Sequence, residues 1–359
     1  AYPSPRPLPK GGGEDAFTPP GVFDMLTSAM ATRLALHTPL CDLLGIRYPV
    51  CQAGMGFVAR GELAAAVSEA GGLGVIAAVY QTPDQLRKAI RQVRDATDKP
   101  FGVDILFAAV RSTGKEAEQF SDDVRGWVEV TLEERAPVLI AGLGNPGPVT
   151  AEAHRRGMKV MALCGNVKQA KDHAANGVDV VIAQGHEAGG HTGRVAGLVL
   201  IPAVVDAVSP TLVAAAGGIA DGRGLVAALA LGAVGVWMGT RFIATPEAYS
   251  HQNYKDRIIQ IDEEGTVVTR AATGKPCRLI RNAFTKSWEG REHEIQPFPA
   301  QIYVVGREAT IRARELGDVE HGSAACGQSA GLIRAIKPAR QVIEEIMAEA
   351  ESVLARLTG

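Results

Sequence analysis

The amino-acid sequence predicts an α/β protein in which eight parallel strands close into a (β/α)8 barrel, a TIM barrel. Eight short apolar runs alternate with longer amphipathic segments between residues 48 and 238. Such near-continuous apolar runs are typical of parallel strands covered on both faces. Eight βα units within about 200 residues favour a closed barrel. The alternative, an open doubly wound sheet, would carry its glycine fingerprint after the first strand, where this sequence has none.

The order of the elements follows from apolar periodicity and from the glycines that end several helices. We predict strands at 48–52, 73–78, 101–107, 138–141, 159–163, 178–183, 211–216 and 234–238. We predict helices at 61–70, 83–97, 115–135, 149–156, 167–176, 195–208, 223–231 and 337–357. Gly71-Gly72, Gly177 and Gly232 stand where glycine commonly ends a helix.

The alternation stops after Phe242 and divides the chain into four parts. Residues 1–29 are an extension rich in proline and glycine, without the apolar segment of a secretory signal. Residues 30–245 form the barrel, and 246–330 form an insertion subdomain after strand eight. We expect this insertion to carry several short helices and to cover the active site. Residues 331–359 provide the helix that closes the barrel.

Composition excludes several classes of function. The net charge is −2, which favours neither nucleic acid nor an anionic membrane as a partner. No apolar run reaches the roughly 18 residues of a membrane helix. The five cysteines form no CxxC or Cys/His ligand spacing, which predicts reduced thiols, no metal site and a cytoplasmic location.

Three glycine-rich segments, 185–193, 216–222 and 238–241, follow predicted strands directly. They therefore lie at the face where barrel enzymes place their active sites. The last two follow strands seven and eight, the recurrent phosphate site of such barrels. Gly217, Gly218, Gly239 and Thr240 are candidate phosphate ligands. The alternative is that these glycines only shape turns, since a single glycine motif is weak evidence.

His191 is the candidate catalytic residue. It lies among glycines in the first of these segments, in a predicted loop, and an imidazole can exchange a proton near neutral pH. His186 is in the same loop, and its side chain is expected to point outward. His154 and His173 fall on predicted helices and are expected at the surface.

The chain resembles the nitronate monooxygenase family, formerly the 2-nitropropane dioxygenases, and the related flavin-dependent enoyl-acyl-carrier-protein reductases. The resemblance covers about residues 33–345. It rests on QAGM at 52–55, EAGGHTG at 187–193, AAGGIADGRG at 215–224, GTRF at 239–242, RN at 281–282 and GQSAGL at 327–332. These motifs are specific for the flavin superfamily and much less specific for the reaction.

The resemblance implies FMN as cofactor, without a metal, and His191 as the catalytic histidine. It places the flavin ring against Ala53, Gly54 and Met55, the ribityl chain near Gln184, the phosphate at Gly217, Gly218, Gly239 and Thr240, and Gln328 near the ring. Asp104, Gly189 and Gly190 complete the expected cofactor site. Asp104 stands where relatives usually carry Asn, and Leu163 where some monooxygenases carry Lys. A carboxylate at position 104 would disfavour an anionic reduced flavin.

The preferred function is oxidation of alkyl nitronates by O2 to a carbonyl compound and nitrite, with His191 taking an α-proton from neutral nitroalkanes. Two alternatives stay open. One is an FMN-dependent reductase that uses NAD(P)H on an enoyl thioester or a quinone, and the other is a flavin-binding protein without turnover. The expected partners are small molecules and O2. The sequence leaves the oligomeric state open, with a homodimer as one option.

Overall fold

A computed structural model describes residues 36–107 and 115–358, so the predicted extension at 1–29 lies outside the described residues. The prediction of a TIM barrel is confirmed, because eight parallel strands form one sheet that runs around the barrel in chain order. The strands are β1 Val50–Gln52, β2 Gly74–Ala77, β3 Phe101–Phe107, β4 Val138–Gly144, β5 Lys159–Cys164, β6 Val180–Gln184, β8 Leu212–Ala216 and β9 Gly235–Met238. No described helix is both long and apolar enough to cross a membrane.

The barrel closes where the first and last of these strands meet. β1 pairs in parallel with β9, and a single bridge between Cys51 and Leu73 joins β1 to the start of β2. The side chain of Gln52 completes this seam. Its amide accepts a hydrogen bond from the backbone N–H of Val75 (2.9 Å) and donates to the Val75 carbonyl (3.2 Å). A buried polar side chain thus takes the place of backbone pairing at this point.

The outer helices follow the predicted order. They are α2 Gly61–Glu69, α3 Pro83–Ala96, α4 Lys115–Glu133, α5 Gly147–Arg155, α6 Val167–Ala175, α7 Gly197–Val208 and α8 Gly222–Ala230, with α13 Ala339–Thr358 at the end of the chain. A short helix before β1, α1 Pro39–Leu44, was not predicted. α3 illustrates how local sequence starts a helix and buries one of its faces. Thr82 forms a capping box with Gln85, and Leu86, Ile90 and Val93 bury one stripe of the helix. α13 packs against α8 and α2 and covers the outside of the barrel.

The segment between β9 and α13 carries the expected short helices. These are α9 Thr240–Ile243, α10 Gln252–Gln260, α11 Ala283–Lys286, a π-helical turn Ile302–Gly306, α12 Arg307–Arg314, and 3-10 turns at Glu292–Glu294 and Gln328–Leu332. It also contains an antiparallel hairpin that we did not predict, β10 Thr266–Thr269 and β11 Cys277–Ile280. β11 pairs with a short strand, β7 Gly190–His191, from the loop after β6.

Candidate active site

One cavity lies at the carboxyl ends of the barrel strands, with about 1370 Å³ of space including its open mouth. We call the residues at the strand ends and in the loops that follow them the barrel wall. We call the lining residues between 252 and 332 the insertion wall, which comprises Tyr254, Ala272, Thr273, Cys277, Leu279, Ile302, Thr310, Arg314, Ser323, Ala325 and Ser329. The cavity is therefore bounded by two parts of the chain of different structure.

The cavity brings together the predicted site residues except Gln328. Its lining includes Ala53, Gly54, Met55, Asp104, Gln184, Gly189, Gly190, His191, Gly217, Gly218, Gly239 and Thr240. Gln328, expected near the flavin ring, begins a 3-10 turn and is not among the lining residues, whereas its neighbour Ser329 is. The Gln328 backbone N–H donates to the Glu187 carbonyl (3.0 Å), so this position ties the insertion to the loop after β6.

The two glycine turns form a cradle suited to a phosphate. Gly217 and Gly218 adopt φ of +90° and +75°, a region that favours glycine. Within the described chain their amide hydrogens have no acceptor. A Cβ added at Gly239 would stand 3.6 Å from the Met55 sulfur and 3.7 Å from the Ala53 Cβ, in ordinary contact, so this lining position has room for a small side chain. Unpaired amides beside open space fit an anionic oxygen group.

Asp104 is a buried carboxyl group in the barrel wall. Its Oδ1 has no hydrogen-bond partner among the described residues. A Cβ at Gly54 or Gly142 would overlap this side chain, so both glycines make room for it. Burial raises the pKa of Asp104 to about 7, although a hydrogen bond from the Gly142 backbone acts in the opposite direction. The carboxyl group is thus largely neutral below pH 7, which moderates the effect that a fixed negative charge would have on a bound flavin.

The region around Leu163 corrects one expectation from the sequence. Leu163 lines the cavity, and its carbonyl is 3.0 Å from Nε2 of His173. His173 is buried, not at the surface, because it turns inward from α6 under the end of β5. Burial lowers the pKa of His173. His154 is exposed as expected and pairs with Asp179 at 2.8 Å.

His191 lies in strand β7, not in an irregular loop as the glycines around it suggested. Its backbone pairs with Cys277 of β11, a partner far away in sequence. Its Nε2 lies 2.9 Å from the Thr273 hydroxyl. Burial, and secondly the charge of Lys275, lower the pKa of His191 from 6.5 to about 4. The imidazole is therefore uncharged at neutral pH and can accept a proton.

Polar contacts hold the His191 segment against the barrel. The Gln184 side chain donates to the His191 carbonyl. The Arg278 guanidinium of β11 donates to the His186 carbonyl at 2.9 Å. The Glu187 carboxylate accepts from the Gly197 N–H at the start of α7, at 3.0 Å from each oxygen. These contacts fix the imidazole at the junction of the two walls.

The insertion wall contributes functional groups that sequence reasoning missed. They are the hydroxyls of Tyr254, Thr273 and Thr310, the thiol of Cys277 and the guanidinium of Arg314. They lie in a polar segment without regular periodicity, and α10, the hairpin and α12 bring them to the cavity. The RN and GQSAGL motifs marked this segment as part of the site but gave no means to choose among its polar residues.

The barrel, the two glycine turns and the half-buried, uncharged His191 share one cavity, and together with the family and relatives given below they place the protein among the α/β-barrel oxidoreductases. The chain belongs to the nitronate monooxygenase family, whose sequence profile matches residues 37–349. Flavin is the typical cofactor of this family, and the cradle described above fits it.

Three known proteins place the chain within this group. The FabK structure from Thermotoga maritima is 42% identical, with a TM-score of 0.81, over 90% of this chain and 98% of that one. The nitroalkane oxidase structure from Streptomyces ansochromogenes is 31% identical, with a TM-score of 0.79, over 89% and 99%. An octahydroindene-carboxyl-CoA dehydrogenase of Mycobacterium tuberculosis is 36% identical over 88% of this chain and 97% of its own length.

Proposed function

We propose that the chain is an FMN-dependent nitronate monooxygenase that converts alkyl nitronates and O2 to a carbonyl compound and nitrite. The observation that carries the proposal is His191, a half-buried and uncharged imidazole in the same cavity as a cradle for one phosphate. Family membership and the nitroalkane oxidase relative support the choice of nitro compounds as substrates.

FMN fits this site better than a dinucleotide because the cradle offers a single group of unpaired amides at Gly217 and Gly218, close to the Gly239 turn. When bound, FMN would take electrons from the substrate and pass them to O2. The chain would hold the phosphate at these glycines and the ring against Ala53–Met55. Heat-released cofactor run on a column should be FMN, and the finding of FAD would contradict this assignment.

His191 would act on neutral nitroalkanes by removing their α-proton. Its pKa of about 4 makes it a weak base on its own. The nitronate formed by this transfer is negatively charged, and an adjacent anion raises the pKa of an imidazole. The proton would thus be retained on His191 while the anion is present. A preformed nitronate needs no such step.

The experiment that tests this role compares the two substrate forms. His191→Asn should retain FMN but lose about 10²–10⁴-fold of activity on neutral nitroalkanes, the usual contribution of general acid–base catalysis. Its activity on preformed nitronate should fall much less. His186→Asn is the matched control, because His186 is in the same loop, bonds the Gly193 carbonyl and does not line the cavity. Equal losses on both substrates would show that His191 is not the base.

A second candidate function is oxidation or reduction of acyl thioesters. A groove continues from the cavity past Leu163, Gln184 and His191, and Arg194 and Lys275 line it. A long thioester with phosphate groups could follow this groove, and the carboxyl-CoA dehydrogenase relative makes the class relevant. Anaerobic mixing of the yellow protein with nitronate, or with an enoyl thioester and NADPH, separates the two candidates. If NADPH bleaches the flavin and the enoyl thioester turns over, while nitronate does not bleach it, the thioester function replaces the monooxygenase function.

A further inference from the structure

Arg314 is a buried cation in the insertion wall that has few partners. It is the last residue of α12, is 9% exposed and lines the cavity. Its Nη1 donates to the carbonyl of Gly56 in the barrel wall. Its Nε is buried without a hydrogen-bond partner among the described residues. Its Nη2 is neither hydrogen-bonded to a described residue nor fully buried, so this end of the guanidinium is available to a molecule in the cavity.

No carboxylate balances this charge within the described part of the chain. The adjacent Glu315 pairs with Arg60 at 3.2 Å instead. The titratable groups that feel the charge of Arg314 are Tyr80, Tyr254 and Cys277. Burial raises the pKa of both tyrosines, and it raises the pKa of Cys277 to about 12, so all three are uncharged at neutral pH. A buried cation without a counter-charge is costly, and an anion would relieve that cost.

We propose that Arg314 binds the anionic head of the substrate, a planar group with two oxygens such as a nitronate or a carboxylate. Nη2 would contact one oxygen and the adjacent Nε–H the other, while Nη1 stays on Gly56. The proposal rests on the proposed function only in taking this cavity as the substrate site. It adds a binding residue that selects anionic over neutral compounds.

The position of Arg314 relative to His191 supports this role. Cys277 connects the two residues, because its backbone pairs with His191 and its thiol feels the charge of Arg314. An anion held by Arg314 would thus lie in the cavity that the imidazole also lines. A guanidinium at this place would also stabilise the negative charge that appears when a neutral nitroalkane loses its proton.

Equilibrium binding of sodium nitrite to the FMN-loaded protein tests the proposal without turnover. The absorbance change of the flavin reports binding to wild type, Arg314→Gln and Arg312→Gln. Arg312 is the matched control, since it lies on the same helix, is exposed and pairs with Glu308 at 3.1 Å. We expect Arg314→Gln to weaken nitrite binding about 10- to 100-fold, as expected for loss of a charged hydrogen bond. Arg312→Gln and the neutral probe acetamide should show no such change.

Several results would overturn the proposal. One is nitrite binding of equal strength in Arg314→Gln and wild type, which would mean that Arg314 serves only to hydrogen-bond the Gly56 carbonyl. Another is absence of nitrite binding to wild type. Loss of FMN from Arg314→Gln and Arg314→Lys alike would assign the guanidinium to the cofactor. Retained FMN and partial recovery of nitrite binding in Arg314→Lys would support the charge-based role. These outcomes do not depend on whether nitronate is the physiological substrate.

Discussion

The two walls of the cavity differ in what they offer to a ligand. The barrel wall presents mostly glycines, backbone amides and apolar side chains, with Asp104 as its buried acid. The insertion wall presents hydroxyls, a thiol and the guanidinium of Arg314. His191 belongs to a barrel loop but pairs with the insertion hairpin, so it stands where the walls meet. The difference suggests that the barrel wall holds the cofactor and the insertion wall determines what reacts with it.

The largest expected effect comes from closing the cradle in the barrel wall. Gly239→Val should abolish FMN binding while the fold persists, because position 239 has an ordinary φ of −100° and its side chain would fill open space beside Met55. The flavin-to-protein ratio after purification, together with circular dichroism, measures this. Gly217→Val is the contrast, since its Cβ would stand 2.9 Å from the Gly185 carbonyl at a positive φ, and we expect it to impair folding. A fully flavinated Gly239→Val would remove this turn from the cofactor site.

A second prediction concerns the buried acid of the barrel wall. The pKa of Asp104 is raised in the folded protein to about 7 from an ordinary 3.8. The folded state therefore binds more protons than the unfolded state between these values, and this group's stabilisation is lost as pH rises towards 7. Between pH 5 and pH 8 this group should lower the free energy of unfolding of wild type by roughly 3 kcal/mol. The free energy of unfolding of Asp104→Asn should not show this decrease.

Urea unfolding at the two pH values checks the prediction. The free energy of unfolding of Asp104→Asn should improve relative to wild type as pH rises. Asp95→Asn, at an exposed position on α3, should follow wild type at both values. Parallel pH profiles for wild type and Asp104→Asn would mean that Asp104 is ionised in the folded protein throughout this range.

The smallest expected effect lies at the junction of the walls. Thr273→Val removes the hydroxyl that lies 2.9 Å from His191 Nε2 but keeps the shape of the side chain. We expect kcat/KM for a neutral nitroalkane to fall about tenfold, as for one neutral hydrogen bond, with FMN content unchanged. Thr269→Val is the control on the same segment, because Thr269 does not line the cavity. Equal kinetics in the two variants would show that the Thr273 hydroxyl does not orient the imidazole.

The barrel wall was largely predictable from the sequence, and the reason is local. Each strand is a continuous apolar run, and each glycine turn follows its strand directly, so position in the chain gives position on the barrel. His191 was found in the same way, although its strand was not. Pairing of β7 with β11 depends on the register between segments about 85 residues apart, which no local pattern encodes.

The insertion wall was not predictable for the same reason. Arg314 belongs to a polar helix of the sequence REATIRAR, in which nothing distinguishes it from the exposed Arg312. Only tertiary packing buries one and leaves the other in water. His173 was wrongly predicted to be at the surface, because it is an isolated histidine on an amphipathic helix. Tertiary packing instead buries it against the Leu163 carbonyl.

The closure of the barrel has a consequence for how the protein acquires its cofactor. β1 can pair with β9 only after β9 has been synthesised. The barrel therefore cannot close until almost its whole sequence has left the ribosome. The Gly239 turn comes directly after β9, and the Gly217 turn precedes it by one helix. The phosphate cradle is therefore one of the last features of the barrel to assemble. A cofactor that binds only the finished cradle would draw the folding equilibrium towards the closed form by mass action.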